Sequence, residues 1–310
     1  MASHDDRTDA PATRHAASRS AGPIVGPTDA PAVHIMSFNI RRRMPHVRAG
    51  HPDSWKLRRP LLRALLRAER PSILGVQEAL ADQSAFVADS LGPRFASVGR
   101  GRNRDGSGER CTLFFDRERF TVVDWEQIAL SDTPDVPGSR SWGNMIPRIA
   151  VRADLLDAAT GRHLRVINTH FDHISVKSRV RSSRLVSDLV SRGDHPAVVM
   201  GDFNARPDSR AYRAFVDDGP LHDSWMTAHT RVTPEWATFS NYKRPREGAK
   251  RIDWILVSDG VDVQSAAINA TRFDGTAPQS AGAPGAAASD HEPVQAVVRV
   301  DTPRTDIAAT

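Results

Sequence analysis

Cysteine is almost absent from this chain of 310 residues, which contains only Cys111. A single cysteine excludes an intramolecular disulfide. Cys111 lies in the apolar run CTLFF, residues 111–115, where a buried structural thiol is the better interpretation than a nucleophile. By default, these features predict a cytoplasmic protein.

Long apolar runs are missing too. No stretch approaches the roughly 18 consecutive apolar residues of a membrane span, so we expect none. Residues 1–30 contain only Ile24 and Val25 as branched apolar residues and lack the apolar segment of a secretory signal. We interpret residues 1–30 as a disordered tail, residues 31–302 as one folded domain and residues 303–310 as a flexible C-terminus.

Positive charge is only slightly in excess, with 42 Lys plus Arg against 37 Asp plus Glu and a net charge of +5. The segment from Arg41 to Arg70 nevertheless contains ten basic residues and two acidic ones. Such a run favours an anionic partner near this segment, although a solvated helix face explains it equally well.

Alternation of apolar and polar residues, or an apolar run too short for a helix, predicts strands at 33–40, 72–80, 111–115, 148–155, 163–170, 197–201 and 251–258, and a last strand after residue 291. Helical spacing predicts helices at 54–70, 82–91, 175–192 and near 211–215, with Leu57, Leu61, Leu62, Leu65 and Leu66 of the first helix packed inward and its arginines outward. Residues 99–110 and 131–147 are expected to be surface loops. Two stacked sheets with outer helices fit this order of elements.

Polar residues that can perform chemistry stand at the ends of these strands. In the stretch AVVMGDFNARPD, residues 197–208, a buried strand runs into Asp202 and Asn204, which face one pocket while Phe203 turns to the core. The same placement recurs elsewhere, which predicts a single polar pocket at one edge of the sandwich. The residues concerned are Asn39, Glu78, Glu109, His170, Asp202, Asn204, Asp253, Asp290 and His291.

The types of these residues indicate the chemistry. Carboxylates and amides without cysteine suit a hard cation such as Mg²⁺ or Mn²⁺. The two histidines add acid or base capacity near neutral pH. The chain has neither a Walker phosphate loop nor a GxSxG nucleophile. Attack by a metal-assisted water on a phosphate ester therefore fits best.

Six motifs occur in an order that resembles the endonuclease/exonuclease/phosphatase superfamily, which includes deoxyribonuclease I. They are SFNI at Asn39, VQE at Glu78, NTHFDH at His170, GDFN at Asp202 and Asn204, RIDWI at Asp253, and SDH at Asp290 and His291. The resemblance covers about residues 33–300. Within the superfamily, the chain is similar to a bacterial branch of metal-dependent hydrolases. It implies an α/β fold, a four-layered sandwich of two packed mixed sheets flanked by helices.

The resemblance also implies roles for the site residues. Glu78 resembles the main metal carboxylate, with Asn39 and Asp290 close to the metal. Asp202 resembles the residue that orients or deprotonates the attacking water, and Asn204 the one that binds the phosphate. His291 resembles a catalytic histidine paired with Asp253, and either Asp202 or His291 is the base. His170 resembles the histidine that faces the phosphate, with Glu109 as its carboxylate partner in the deoxyribonuclease I branch.

The substrate stays open between several classes at this point. A phosphodiester cleaved in the manner of a nuclease is favoured by the basic segment and by Arg100, Arg102 and Arg104, which could track phosphates. A phosphomonoester of a sugar or inositol is the alternative, followed by a phospholipid head group. A non-catalytic phosphate-binding scaffold is the hypothesis of a different class. We expect a monomer.

Overall fold

The computed structural model describes residues 22–45, 47–48, 50–279 and 284–300. Over these ranges the strands and helices follow one another as β1 (Val33–Asn39), α1 (Trp55–Glu69), β2 (Ile73–Ala79), α2 (Ala81–Leu91), β3 (Phe95–Val98), β4 (Arg110–Asp116), β5 (Phe120–Ala129), β6 (Ile149–Asp157), β7 (Arg162–His170), α3 (Val176–Ser191), β8 (Ala197–Asp202), α4 (Arg210–Val216), β9 (Leu221–Asp223), α5 (Ser224–Thr227), β10 (Thr230–Arg231), β11 (Asp253–Ser258), β12 (Val261–Ile268), β13 (Arg272–Asp274), β14 (Ala277–Gln279) and β15 (Val294–Val300).

Two large sheets contain most of these strands. The first sheet has the order β10-β12-β15-β1-β2-β4-β3 and the second the order β5-β6-β7-β8-β11-β9. Both are mixed, since β1 pairs with β2 in parallel and with β15 antiparallel, and β8 pairs with β7 in parallel and with β11 antiparallel.

The apolar residues of each central strand divide between two cores. Ile35 and Met200 pack in the core between the sheets, whereas Met36 packs under α1 and Val199 packs under α3 and α4. Because both faces of these strands are covered, they read as nearly continuous apolar runs. The order helices, sheet, sheet, helices confirms the predicted four-layered sandwich.

Helix α1 has the predicted position, but its faces are not divided as expected. Leu57 is 46% exposed, whereas Arg58 is fully buried. The Arg58 guanidinium donates to the backbone carbonyl oxygens of Ile40, Arg41 and Asp53 at 2.8, 3.1 and 3.3 Å. A planar guanidinium with five N–H donors can serve several carbonyl groups at once, so this arginine holds the loop after β1 to the helix.

The predicted tail needs a correction where the structure describes it. The backbone N–H groups of Ile24, Val25 and Gly26 donate to the buried carboxylate of Glu69 at 2.8, 3.1 and 3.1 Å. The side chains of Asn269 and Gln295 donate to the same carboxylate at 2.7 and 2.8 Å. A buried carboxylate requires such donors, and three of them come from this segment. Residues 22–30 therefore belong to the folded part, while residues 1–21 and 301–310 lie outside the described residues.

The loops at 99–110 and 131–147 occur where expected, and Cys111 is buried, which raises the pKa of its thiol to about 12. The short strand β3 and the longer strands β5 and β12 were not predicted from the sequence. No helix in the described ranges is long and apolar enough to span a membrane.

Candidate active site

The strand directions bring the polar residues to one edge of the sandwich. The parallel pairs β1–β2 and β7–β8 end together, and their last residues or close neighbours are Asn39, Glu78, His170 and Asp202. Antiparallel β11 begins at the same edge, where Asp253 pairs with Asp202. Residues 290 and 291 precede β15, which runs antiparallel to β1. The edge predicted from the sequence is thus one physical site.

Asp202 lies at the centre of this site. Its Oδ2 accepts a hydrogen bond from Asn39 Nδ2 at 2.9 Å and lies 3.5 Å from His170 Nε2 and 3.7 Å from His291 Nε2. Burial, and next the nearby charge of Asp253, raise the pKa of Asp202 to about 7. A carboxylate with such a pKa can accept and release a proton near neutral pH.

His291 forms a pair with Asp253, as the resemblance implied. Its Nδ1 lies 2.9 Å from Asp253 Oδ2, and both side chains are buried. Burial by itself lowers the pKa of His291, but the carboxylates of Asp253 and Asp202 outweigh it and raise this pKa well above the usual value. Nδ1 therefore donates to Asp253, and Nε2 carries a proton toward the site. The ring of Phe239 packs against the imidazole at 4.9 Å between centroids.

His170 has the opposite electrostatic environment. Burial, followed by the positive charges of Arg148 and Arg102, lowers its pKa well below the usual value. The two histidines therefore differ in charge, and this neutral one is available as a hydrogen-bonding partner or a metal ligand.

Glu78 is held by its neighbours as a carboxylate. Asn39 Nδ2 donates to one of its oxygens at 3.0 Å and the backbone N–H of Arg42 donates to the other at 3.0 Å. Burial would raise the pKa of Glu78, but these hydrogen bonds keep it below the usual value. Glu78 has a backbone φ of 63°. Residues that carry a Cβ rarely adopt this region, and such strain is typical of functional positions.

Arg41 stands among the carboxylates near Glu78. Its guanidinium lies 3.8 Å from Glu78 Oε2, 3.7 Å from Asp290 Oδ2 and 3.3 Å from Asp53 Oδ2. Burial raises the pKa of Asp290, and the negative charge of Glu78 adds to this effect. The positive charge of Arg41 therefore lies close to the carboxylates of both Glu78 and Asp290.

The donor set fits a hard divalent cation. Glu78, His170 and Asp202 each offer one ligand atom within 4.8 Å of the others. Asp202, Asp253 and His291 lie equally close together, but a protonated His291 has no lone pair for a metal. Oxygen-rich sites with one imidazole suit Mg²⁺ or Mn²⁺. Of the ligands expected from the sequence, Asn39 turns its amide nitrogen to the carboxylates, and its oxygen accepts from the Arg41 amide at 3.0 Å.

Asn204 lies beside Asp202, as the alternation predicted. Its backbone N–H donates to Asp202 Oδ1 at 2.9 Å, and its side-chain Nδ2 donates to the Phe171 carbonyl oxygen at 3.0 Å. Its φ is 49°, a left-handed conformation that asparagine tolerates better than most residues. The partly exposed side chain borders the site from the side of α4.

Glu109 is near the site but does not have the expected partner. Its two carboxylate oxygens are bound by Arg42 at 3.1 Å and by Arg102 at 2.8 Å. Among the described residues no hydrogen bond joins Glu109 to His170. Two guanidinium groups saturate the carboxylate, so Glu109 links the loop after β1 to the loop before β4 instead of orienting His170.

Arg148 was missed as a site residue because it reads as the polar start of a strand. It is 3% exposed and lines a small cavity together with Glu78, Arg102, Glu109 and His170. Asp172, the ion-pair partner of Arg148, accepts from the backbone N–H groups of Ile174 and Ser175 at 2.9 and 2.7 Å. Only the three-dimensional arrangement places Arg148 beside His170.

Comparison with known proteins places this geometry in a family. The model of the Endonuclease/Exonuclease/phosphatase family matches residues 36–291. The chain belongs to this family. Its members are hydrolases of phosphate esters, so this chain is a phosphoesterase of that family, and the fold predicted from its motifs is confirmed.

Solved structures of this family superpose over nearly their whole length. An endonuclease/exonuclease/phosphatase from Bacteroides vulgatus is 32% identical with a TM-score of 0.78, covering 87% of this chain and 99% of that one. A mannosyl-6-phosphatase from Bacteroides thetaiotaomicron is 29% identical with a TM-score of 0.78, covering 86% of this chain and 99% of that one.

A curated relative of a different activity is more distant. The 3'-5'-exoribonuclease subunit of the CCR4-Not complex from Aspergillus niger is 25% identical over 229 residues, which cover 58% of this chain and 34% of that protein. The match spans less than two thirds of the length of each curated relative found. Phosphatases and nucleases thus share this family, and membership of the family alone does not identify the substrate.

Proposed function

We propose that this protein is a Mg²⁺-dependent phosphomonoesterase that hydrolyses a small phosphorylated sugar. The observation that carries the proposal is the similarity to the mannosyl-6-phosphatase, at 29% identity over 86% of this chain. This reverses the order of the two substrate classes that the sequence favoured. Cytoplasmic location and a monomeric state stay predictions from the sequence.

The basic segment supports the reversal, because several of its arginines have partners within the protein. Arg41 contacts Asp53, Arg42 binds Glu109, and Arg43 binds Asp82. Arg58 is fully buried, and Arg63 binds Asp89. Side chains committed in this way are poor candidates for neutralising a run of backbone phosphates, so the argument for a polynucleotide loses much of its basis.

The side chains have complementary roles in the proposed reaction. Glu78 and Asp290, with Asn39 nearby, would hold the divalent cation, which when bound would supply charge stabilisation for the phosphate and favour ionisation of water. Asp202 accepts the proton of the attacking water, and His291, kept cationic by Asp253, donates a hydrogen bond to the phosphate or a proton to the leaving oxygen. Asn204 and neutral His170 position the phosphate.

A substrate panel tests this proposal. Mannose 6-phosphate, glucose 6-phosphate, an inositol phosphate, single- and double-stranded DNA, RNA and phospholipids would be assayed with Mg²⁺, with Mn²⁺ and with chelator. His291→Ala, purified in the same way, controls for contaminating phosphatases and nucleases. A sugar phosphate should give the highest kcat/KM and need the metal. Absence of metal-dependent hydrolysis of every ester would restore the scaffold hypothesis.

A nucleic-acid phosphodiester remains the second candidate because of one groove. This groove of about 620 Å³ begins at Asn204 and is bordered by basic residues of α3, α4 and their flanking loops, namely Arg179, Arg206, Arg210, Arg213 and Lys250. Phe239, 39% exposed at its edge, offers a ring on which a base could stack.

The groove can be tested through salt dependence. Replacing Arg210, Arg213 and Lys250 together with Ser should reduce the slope of log affinity for single-stranded DNA against log salt by about two units if a strand lies there. Binding would be measured in Ca²⁺ or without metal to block cleavage. An unchanged slope, or no binding by the unmodified protein at low salt, removes this candidate.

A further inference from the structure

Arg148 is a buried cation with little compensation. Its Nε lies 3.5 Å from Asp172 Oδ2, a long ion pair, and its Nη2 donates to His173 Nδ1 at 3.1 Å. Among the described residues, Nη1 has no hydrogen-bond partner. Burying a guanidinium is costly unless its donors and its charge are matched, so this arrangement requires an explanation.

Its position offers that explanation. Arg148 lines the same small cavity as Glu78 and His170, which belong to the catalytic site. Arg102 lines it as well, but its guanidinium binds Glu109 at 2.8 Å. Glu109 in turn is shared with Arg42. Arg42 and Arg102 thus bind Glu109 at this side of the site, whereas the Nη1 group of Arg148 has no acceptor among the described residues.

We propose that Arg148 binds the second negative charge of a phosphomonoester and thereby selects monoesters over diesters. The inference rests on the proposed phosphomonoesterase function and names the residue that enforces it. A phosphate monoester carries close to two negative charges near neutral pH, whereas a diester carries one. A vacant guanidinium N–H beside the catalytic residues satisfies the additional charged oxygen, and a diester places an esterified oxygen there instead.

The roles of the neighbouring cations make Arg148 distinct. His291 Nε2 faces Asp202, and Arg41 is engaged by Asp53, Glu78 and Asp290. Both cations would interact with the negative charge that monoesters and diesters have in common. Arg41 Nε also lacks a hydrogen-bond acceptor among the described residues but lies 3.7 Å from Asp290 Oδ2, whereas Arg148 is buried and lines the small cavity.

The test compares two esters of the same leaving group, p-nitrophenyl phosphate and methyl p-nitrophenyl phosphate, at a fixed Mg²⁺ concentration. Arg148→Gln should raise KM for the monoester by about 10- to 100-fold, the scale of losing a charge-assisted hydrogen bond, and leave the diester nearly unchanged. Arg148→Lys keeps the charge but loses the planar fork, and its monoester-to-diester ratio of kcat/KM should fall less, by several-fold.

Two controls separate selection from mere support of the loop. Asp172→Asn removes the charged partner of Arg148 but retains an acceptor for the Ile174 and Ser175 amides. The monoester-to-diester ratio of kcat/KM should therefore stay unchanged. Arg117→Gln changes an exposed arginine in the turn between β4 and β5, at the opposite end of β4 from Glu109, and should alter neither ester. If Arg148→Gln loses equal activity on both esters, so that the monoester-to-diester ratio of kcat/KM is unchanged, the inference is overturned. If Arg148→Gln does not fold, the ratio in Arg148→Lys decides.

A binding measurement distinguishes failure of the inference from failure of the proposed function. Inorganic phosphate, titrated calorimetrically into the unmodified protein and Arg148→Gln, should bind about tenfold or more weakly to the variant. If the unmodified protein hydrolyses no monoester, the proposed function fails whatever Arg148 does. If it hydrolyses monoesters and both proteins bind phosphate equally, only the role of Arg148 is wrong.

Discussion

Removal of residues 1–30 should destabilise the protein. Removal of residues 1–21 leaves the contacts of Ile24, Val25 and Gly26 in place. A chain beginning at Pro31 lacks the three backbone N–H groups that Ile24, Val25 and Gly26 donate to Glu69. It also lacks the Gly26 carbonyl oxygen, to which His34 Nδ1 donates at 2.8 Å. Two of the five donors to the Glu69 carboxylate remain, from Asn269 and Gln295.

The expected loss follows from these contacts. A hydrogen bond to a charged group contributes about 1.5–3 kcal/mol, and leaving a buried carboxylate short of donors carries its own cost. Water can enter where the segment is removed, so we take the lower end for three bonds and expect about 3–5 kcal/mol. This is a large part of a typical unfolding free energy of about 5–15 kcal/mol.

Urea unfolding followed by tryptophan fluorescence measures this loss in chains that begin at Met1, Gly22 and Pro31. Glu69→Gln provides the matched background, because truncation should cost much less when the carboxylate is already neutral. If the Pro31 chain unfolds within about 1 kcal/mol of the full chain, the segment contributes nothing, and the tail prediction would hold through residue 30.

Three further predictions concern the site and one buried histidine. Glu78→Gln should keep the fold but shift the Mg²⁺ titration of activity to higher concentration, while Glu126→Gln, outside the site, should not; identical titration curves for Glu78→Gln and the unmodified protein would exclude a metal ligand. Asp202→Ala and His291→Ala should each lower turnover by at least ~10²-fold with little change in Tm. Normal metal-dependent turnover in either variant would show that the replaced residue has no role in the mechanism. Burial lowers the pKa of His34 from 6.5 to about 4, so the unfolded chain binds the proton more readily, and stability present above pH 6.5 should fall by about 3 kcal/mol as the pH drops to about 4. His34→Gln should flatten this part of a urea-denaturation pH series, and a slope equal to that of the unmodified protein would contradict the assignment.

The sequence predicted which residues lie together at the candidate site better than it predicted the outer strands. Asn39, Glu78, Asp202 and Asp253 follow or begin buried apolar runs, and strand alternation tells which of their neighbours point the same way. Strand β10 consists of two exposed residues and β3 of four residues that are mostly only partly buried, so both are too short for sequence reasoning to detect an apolar pattern.

Pairings between distant residues account for the errors. Arg58 looks like an outward arginine on a helix, and only the loop carbonyl groups beyond β1 explain its burial. Ile24 to Gly26 look like tail residues because their contribution is made by backbone N–H groups, which every residue type except proline has. Glu109 has the right neighbourhood but binds Arg42 and Arg102, and no local pattern distinguishes these partners from His170.

The pairing of β1 with β15 has a consequence for how the enzyme becomes active. Val33 aligns with Val298 and Ser37 with Val294, so the strand next to His291 joins the sheet beside the first strand of the fold. During synthesis β1 is made first and must wait for β15, with one hydrogen-bonding edge open to other chains until the end. Asp290 and His291 reach the candidate active site only when this strand docks. Recovery of activity after dilution from denaturant should therefore report completion of the whole fold, and nascent chains that stall before β15 should be both inactive and prone to aggregate.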